Sequence, residues 1–289
     1  LDAGYDVSVY NRTRSKAEPL AERGAKLVDT AAQLADRDVV FIMVAASDDL
    51  EDVTIGEDGL LTADASPDIV VDCSTVSAAV SAKVRGLAAD RGAAFLAAPV
   101  SGNPKVVKSG KLTLAVSGPR EAFERTEPLL RPLGRGVTYV GEGEVARLVK
   151  ICHNVFLGVV AQSLSEITVL AEQGGASRQA FLEFLNNSVM GSVFTRYKSP
   201  AFVNLDFSPT FTNVLLRKDF DLGLEAAREH GVPMPVAALA AEMVSSAIGA
   251  GHTTEDFATL LLEQARRSGV ELVSENAAVD DGLGTEADE

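Results

Sequence analysis

Apolar positions follow two patterns over the first 143 residues, as short continuous runs and as segments of helical periodicity. Residues 39–44 form a continuous apolar run, which is typical of a strand buried on both faces of a sheet. This alternation of strands and helices predicts a doubly wound, mainly parallel sheet. The expected strands are residues 5–10, 26–28, 39–44, 68–72, 94–97, 112–117 and 137–140, and the expected helices are residues 15–23, 31–35, 78–91 and 120–131.

The strand pattern does not recur after Gly143. A long apolar helix is expected over residues 144–173, where Gly174 and Gly175 end it. Residues 271–289 are small and acidic, which predicts a disordered tail. The pattern therefore predicts an α/β domain (residues 1–143) and an all-helical domain (residues 144–270) that includes the connecting helix. Its further helices are expected at residues 178–187, 213–230, 235–248 and 255–268, the last capped by Thr253 and Thr254.

The first residues have the pattern of a helix end, with Gly4 as its C-cap. A Rossmann-like unit opens with a strand and a glycine-rich turn before that helix, and neither pattern precedes Gly4. We therefore expect an N-terminally truncated Rossmann-like sheet, and weak cofactor binding by this chain. Residues 141–146 match a dinucleotide fingerprint, but Glu142 and Glu144 would repel a pyrophosphate. A glycine hinge into the long helix is the favoured interpretation.

Charge and composition exclude several classes of partner and setting. The formal net charge of -15 argues against nucleic acid and against an anionic membrane surface. The longest apolar stretch, residues 155–171, contains Gln162, Ser163, Ser165 and Glu166, so no membrane span is predicted. Two cysteines and no signal-peptide pattern favour a reducing, cytoplasmic setting, and the three histidines lack metal-ligand spacing, so no metal is expected.

Three segments carry residues suited to dinucleotide and carboxylate chemistry. Arg12, between Asn11 and Thr13, follows an expected strand at the place where an arginine would pair with the 2′-phosphate of NADP. An ordinary polar turn is an equal alternative. Residues 98–103 follow another strand end, where small residues let backbone N–H groups approach an anion. Lys150 and Asn154 lie four residues apart on one face of the long helix, although a helical lysine is more often a solvated surface group.

Taken together, these segments resemble the β-hydroxyacid dehydrogenase family, which includes 3-hydroxyisobutyrate dehydrogenase and tartronate semialdehyde reductase. The resemblance extends from the first residue to about residue 269. Its motifs are GYDVSVYNRT (residues 4–13), DCSTVS (residues 72–77), APVSGNPKVVKSGKL (residues 98–112), GEGEVARLVKICHN (residues 141–154) and the pair Lys218-Asp219. It departs from the family at Asn103, where a second glycine is usual, at Ala97, where an acid is usual, and at Val44-Ala45, where Leu-Pro is usual.

The resemblance implies an NADP-preferring 3-hydroxyacid dehydrogenase, with NAD as the other possible cofactor, or a semialdehyde reductase in the reverse direction. It implies that Lys150 is the catalytic lysine. It also implies a small hydroxy acid or semialdehyde as substrate and, with the apolar helices, a homo-oligomer such as a dimer. The implied substrate-binding residues are Ser101, Gly102, Asn103 and Asn154, and the implied cofactor-binding residues are Asn11, Arg12, Thr13, Val44, Ala45, Thr75 and Lys218.

Two alternatives stay open on the sequence alone. A non-catalytic homologue would keep the helical domain for binding or oligomerisation, and the absent glycine-rich turn motivates this reading. An imine-reductase-like enzyme would keep the fold and change the reaction, but the presence of Lys150 argues against it.

Overall fold

The computed structural model describes residues 1–284, which form two compact units. The first unit comprises residues 1–102 and 110–150, and the second comprises residues 103–109 and the chain from Ile151 onward. This division differs from the predicted boundary after residue 143. The first turns of the long helix belong with the α/β unit, because the guanidinium of Arg147 bonds to Asp72 at the end of a central strand.

The first unit contains a two-stranded and a six-stranded sheet. In the larger sheet the strand order is β3-β4-β5-β7-β6, with β8 beside β7. The pairs β3–β4, β4–β5 and β7–β8 are parallel, whereas β7 runs antiparallel to β5 and β6. The strands are β1 (Ser8–Val9), β2 (Lys26–Leu27), β3 (Val39–Ile42), β4 (Ile69–Asp72), β5 (Ala94–Ala97), β6 (Val100–Ser101), β7 (Thr113–Ser117) and β8 (Gly136–Gly141).

The mainly parallel Rossmann-like class is confirmed, with two differences at its edges. The sequence does not predict β6, a two-residue strand that pairs Val100 with Leu114. The parallel pair β1–β2 is separate from the larger sheet in the described residues, so β3 is an edge strand and its Phe41 is 40% exposed.

Apolar layers on both faces of the sheet form the core of the first unit. Val70 and Phe95 pack on one face with Val84, while Val71 and Leu96 pack on the other face. All four residues of β4 are buried, as its continuous apolar run predicts. The helices of the first unit are α1 (Glu18–Ala21), α2 (Ser47–Ile55), α3 (Ala78–Asp90) and α5 (Arg120–Leu130), whereas α4 (Pro104–Lys108), which the sequence does not predict, belongs to the second unit.

Three helical segments of the first unit differ from expectation. The predicted helix over residues 31–35 is a 3-10 helix (Ala31–Leu34). The predicted helix over residues 15–23 is a 3-10 turn (Arg14–Lys16) followed by the four-residue α1, in which Pro19 lies at the first turn and lacks an N–H group. Helix α2 is not predicted, because its sequence is mostly polar and only Leu50 and Thr54 are buried.

The second unit is helical, as predicted. Its core joins Val155 and Ala161 to Leu216, Phe220 and Val244. Helix α8 is an addition to the predicted set. The other helices are α6 (Val145–Gln173), which begins in the first unit, α7 (Arg178–Asn187), α8 (Val193–Asn204), α9 (Asn213–Glu229), α10 (Pro235–Gly249) and α11 (Leu260–Arg267).

Helix α6 packs tightly against α9 through two glycines. A Cβ atom on Gly158 would lie 2.4 Å from the Phe220 ring, and one on Gly223 would lie 2.3 Å from Val155. The phenyl ring of Phe220 therefore fills the space beside Gly158. By length and mean hydropathy (1.4) α6 could cross a membrane, yet half of its most apolar window is buried inside the protein, as in a core helix.

The end of the chain departs from two expectations. Asp256, rather than Thr253 or Thr254, caps the last helical segment, because its carboxylate accepts from the N–H of Ala258. Helix α11 then begins at Leu260. From Glu275 to residue 284 the acidic segment makes defined contacts, where the sequence predicts disorder. The last five residues lie outside the described part of the chain.

Candidate active site

The predicted NADP-selecting turn follows directly after β1. The side-chain oxygen of Asn11 accepts from the N–H of Thr13 at 2.9 Å, which closes the turn and presents the side chain of Arg12 to solvent. The guanidinium of Arg12 is 81% exposed, and its Nη1 lies 3.0 Å from Asp49 Oδ1 on the first turn of α2. Asn11 therefore shapes the turn, and Arg12 presents the donors that a phosphate requires.

The loops that follow β3 and β4 meet through Ser74. Its hydroxyl accepts from the N–H of Val44 at 2.9 Å, and its own N–H donates to Asp72 Oδ1 at 3.0 Å. Thr75, the next residue, is exposed at the carboxyl end of β4. Burial raises the pKa of the neighbouring Cys73 thiol to about 12, so this cysteine stays protonated and chemically inert.

The Gly141–Glu144 turn is a structural hinge. Gly141 and Gly143 have positive φ angles of 137° and 60°, which side chains other than glycine rarely adopt. The hydroxyl of Ser117 donates to the carbonyl of Gly143, and the carboxylate of Glu144 bonds to both Arg85 and Arg147. A carboxylate and a carbonyl oxygen here would oppose a pyrophosphate, which supports the interpretation favoured from sequence.

Lys150 lies half-buried on α6, one turn after Arg147. Arg147 is only 4% exposed, and all three of its guanidinium nitrogens donate to protein oxygens. Nη2 bonds to Asp72 at 2.5 Å, Nη1 to the carbonyl of Ser74 at 3.0 Å, and Nε to Glu144 at 2.9 Å. The start of α6, which carries Lys150, is thus bonded to the loop that carries Thr75.

The predicted substrate loop is divided between a strand end and a helix cap. Ser101 ends β6 opposite Thr113, and Gly102 follows in an exposed position. The side-chain oxygen of Asn103 caps α4, accepting at 3.0 Å from the N–H groups of Lys105 and Val106. Its Nδ2 is buried and has no hydrogen-bond partner within residues 1–284. The oxygen of Asn103 is therefore committed to the fold, and the amide nitrogen is the group left for a ligand.

Asn154 lies in a buried polar chain of the second unit. Its Nδ2 donates to Asp219 Oδ2 at 2.6 Å, and its Oδ1 lies 2.9 Å from His153 Nδ1. Asn154 is 7% and Asp219 is 3% exposed, whereas Lys218, the preceding residue on α9, is exposed. His153 itself is exposed on α6 and reaches Asn154 from the surface.

The structure joins some of the predicted site residues directly and others only through residues that the sequence did not single out. Within the first unit, Val44 is bonded to the loop of Thr75, and this loop to the helix of Lys150, through Ser74 and Arg147. Arg147 was missed because an arginine near a helix start normally faces solvent. A buried acid, Asp72, at the end of an apolar strand is the signal that could have found it, since such an acid requires a partner.

Sequence profiles of two families match almost the whole chain. The profile described as the NAD binding domain of 6-phosphogluconate dehydrogenase matches residues 1–141. The profile described as NAD-binding of NADP-dependent 3-hydroxyisobutyrate dehydrogenase matches residues 141–263. An uncharacterized oxidoreductase of Bacillus subtilis is 36% identical over 264 residues, covering 90% of this chain and 92% of that protein.

A 3-hydroxyisobutyrate dehydrogenase of Pseudomonas aeruginosa is 30% identical over 270 residues, covering 90% of this chain and 91% of the relative. The chain belongs to the 3-hydroxyisobutyrate dehydrogenase-like family of β-hydroxyacid dehydrogenases. Among solved structures, the Mycobacterium tuberculosis 3-hydroxyisobutyrate dehydrogenase with L-serine superposes with a TM-score of 0.76 at 26% identity, covering 91% of each chain. The family resemblance, the NAD(P)-binding domain and the oxidoreductase class expected from the sequence are confirmed.

Proposed function

We propose that this β-hydroxyacid dehydrogenase interconverts a small 3-hydroxy acid and its semialdehyde with NADP as the preferred cofactor. The observation that carries the proposal is the placement of Lys150, half-buried on α6, where Arg147 bonds that helix to the loop of Thr75. When bound, the cofactor supplies a nicotinamide ring that accepts or returns a hydride. Lys150 would take the proton from the substrate hydroxyl during oxidation and return it to the carbonyl oxygen during reduction.

The residues present suit the adenosine and nicotinamide sides of such a cofactor. Arg12 offers an exposed, delocalised cation that matches a 2′-phosphate, which is the reason for proposing NADP over NAD. Thr75 and the segment Val44-Ala45 lie at the carboxyl ends of neighbouring parallel strands, where ligands of open α/β sheets bind. We assign Lys218, exposed on α9, to the cofactor on the family resemblance.

The two asparagines among the proposed substrate-binding residues offer amide donors that suit a carboxylate or a hydroxyl. In our proposal Ser101, the backbone of Gly102 and the buried Nδ2 of Asn103 receive the substrate carboxylate. The amide nitrogen of Asn154 carries two hydrogens, and Asp219 accepts one of them. The second hydrogen would bind a substrate oxygen, which is the role that the family resemblance implies for Asn154.

We also propose that the protein is a cytoplasmic homo-oligomer. Large apolar side chains are exposed on two long helices, among them Phe156 and Leu170 on α6 and Val236 and Leu239 on α10, each at least 64% exposed. Burial of such exposed apolar side chains against a second copy would favour association. Light scattering at micromolar concentration should give the mass of a dimer or larger, and a monomer would contradict this part.

The test of the proposed function compares three lysine variants. Reduction of small semialdehydes and oxidation of the matching 3-hydroxy acids is followed by NADPH absorbance. Lys150→Ala should lower kcat by about 100- to 10,000-fold, and Lys150→Arg should not rescue it, because a guanidinium does not give up its proton near neutral pH. Lys83→Ala, which removes a lysine paired with Glu51 on the surface, is the matched control.

Binding of NADPH and NADH is measured on the same proteins by nicotinamide fluorescence. We expect both Lys150 variants to bind NADPH as the unaltered protein does, and tighter than NADH. Full turnover by Lys150→Ala would overturn the assigned role of this lysine. Saturable NADPH binding without turnover of any substrate tried would instead favour the non-catalytic alternative.

A further inference from the structure

We propose that Arg147 is the positioning residue of Lys150, an inference that rests on the proposed function and adds a residue to it. Arg147 lies three residues before Lys150 on α6, so the two side chains project from the same face, about one turn apart. Its guanidinium bonds to Asp72 at the end of β4, to Ser74 in the loop after β4, and to Glu144, the residue just before α6. Lys150 therefore takes its position from Arg147.

The local stability of α6 does not explain why Arg147 is buried. A positive charge in the first turn of a helix opposes the helix dipole, and a buried cation costs several kcal/mol unless it is paired. Here two carboxylates compensate: Asp72, which is fully buried, and Glu144. An arginine at a solvent-exposed position on the next turn of α6 would need neither of these carboxylates. Arg147 is thus a cation at an energetically costly position. It has three oxygen acceptors there and lies one helical turn before the proposed acid/base lysine.

The acceptor at Ser74 extends the reach of Arg147 to the cofactor-side loops. One residue, Ser74, accepts from Arg147 through its carbonyl and from the N–H of Val44 through its hydroxyl, and Thr75 follows it directly. The segments that carry Val44, Thr75 and Lys150 therefore share a single hydrogen-bonded node. A shift of the helix start against this node would move Lys150 relative to the nicotinamide side of the site.

Because the guanidinium group is planar and has several donors, replacing Arg147 by lysine is a conservative change with a specific expected effect on kcat. Lysine keeps the charge but has one nitrogen, which cannot serve Asp72, Ser74 and Glu144 in the geometry of a guanidinium. Arg147→Lys should therefore fold, lower kcat by about 10- to 100-fold, and leave KM and the NADPH dissociation constant within about 3-fold. Where Arg147→Lys does not fold, Asp72→Asn takes its place, since the amide keeps the acceptor for Ser74 and removes the charge.

The same replacement in the Lys150→Ala background separates positioning from structural support. If Arg147 acts through Lys150, Arg147→Lys lowers the residual rate by less than about 2-fold once the lysine is gone. An equal loss in both backgrounds, or no loss in the unaltered protein, would overturn the inference. Failure of the proposed function appears elsewhere, as full turnover in Lys150→Ala alone.

Hydrogen exchange supplies a readout that does not depend on turnover. In Arg147→Lys, amides of residues 73–77 and of the first turns of α6 should exchange faster together, while β5 and α3 stay protected. Lys198→Met, which breaks a buried pair in the second unit, is the matched control and should change neither kcat nor this region. Unchanged exchange at residues 73–77 in Arg147→Lys would show that the node does not hold the loop.

Discussion

Each unit of the protein contains a buried ion pair, and the two pairs differ in what they connect. In the first unit Arg147 and Asp72 are 4% and 0% exposed, with 2.5 Å between Nη2 and Oδ2. In the second unit Lys198 and Asp256 are 2% and 1% exposed, with 2.6 Å between Nζ and Oδ1. By burial and distance the pairs are alike, so neither quantity distinguishes a structural pair from one that serves a site.

The acceptors and donors around each pair make the distinction. Asp256 collects hydrogen bonds from the backbone of Thr210, Phe211 and Ala258, and the ammonium of Lys198 lies 4.3 Å from the centre of the Phe257 ring. None of these residues is a predicted site residue, so this pair fastens a loop to the helices. The pair of the first unit instead ends at the loop of Thr75 and at the helix of Lys150. Connectivity, rather than burial, indicates function here.

The largest expected effect comes from breaking the pair of the second unit. Lys198→Met leaves Asp256 buried without its cation, which should lower the free energy of unfolding by about 3–5 kcal/mol. Urea unfolding measures this loss, and kcat at a temperature where the variant is folded should equal that of the unaltered protein. The double variant Lys198→Met, Asp256→Asn should regain part of the stability, because no charge is then left unpaired. A large drop in kcat would mean that this pair, too, serves the site.

The pH dependence of the free energy of unfolding gives a further test of the buried pair in the second unit. Burial alone would raise the pKa of Asp256, but the Lys198 ammonium and four hydrogen bonds outweigh it, so the pKa lies below that of an unfolded aspartate, about 3.9. Asp256 therefore stabilises the fold above that pH, and the stabilisation is lost as the pH falls through its lowered pKa.

Urea unfolding between pH 3 and pH 7 tests this sign with two variants. Asp256→Asn should lack the part of the slope that Asp256 contributes. In Lys198→Met the burial and the hydrogen bonds from the backbone and the Thr210 hydroxyl remain without the ammonium, so the pKa of Asp256 rises and the destabilisation should shrink toward low pH. Parallel curves for all three proteins would contradict the assignment.

How much of this follows from sequence depends on the range of the interactions involved. Helices α3 and α7 begin where predicted, because Ser77 and Ser177 cap their N-termini locally, and both end within one residue of the prediction. Strand β6 was missed because it forms only by pairing with β7, whereas α8 and the last helical segment carry local capping signals, at Ser192 and Asp256, that the prediction did not use. The node around Ser74 joins residues 30 and 73 positions away along the chain, and no local pattern specifies such pairing.

In the candidate site, too, motif residues were predictable from the sequence, whereas their contacts were not. Motif resemblance gave Lys150, Asn154 and Thr75 their expected roles, but it could not show that the oxygen of Asn103 caps a helix. Nor could composition show that Glu275, in the acidic tail, accepts from the N–H groups of Arg178 and Gln179. An acidic segment can thus be held in place by specific acceptors, here Glu275 together with Asn204, which bonds to Ala277.

A smaller effect is expected from the acceptor Glu275. Glu275→Ala leaves two N–H groups at the start of α7 without a side-chain partner, which should lower the free energy of unfolding by about 0.5–2 kcal/mol. The matched control is Glu271→Ala, an exposed acid of the same segment. Urea unfolding of both variants measures the difference. An equal effect of the two replacements would show that Glu275 acts only through its charge.

The smallest expected effect concerns an exposed pair, the counterpart of the two buried ones. Asp49 is 25% exposed and its carboxylate contacts the guanidinium of Arg12, so a 2′-phosphate must compete with it for the same cation. An exposed pair contributes about 0.2–1 kcal/mol, and Asp49→Asn should therefore tighten NADPH binding by about 1.5- to 5-fold while NADH binding stays constant. The control is Asp29→Asn, which removes the acid paired with Arg14 instead. Fluorescence titration gives both dissociation constants, and the difference should shrink at high salt because the competition is electrostatic. A gain for both cofactors alike would place the effect of Asp49 in α2, whose first turn it occupies, rather than at the phosphate.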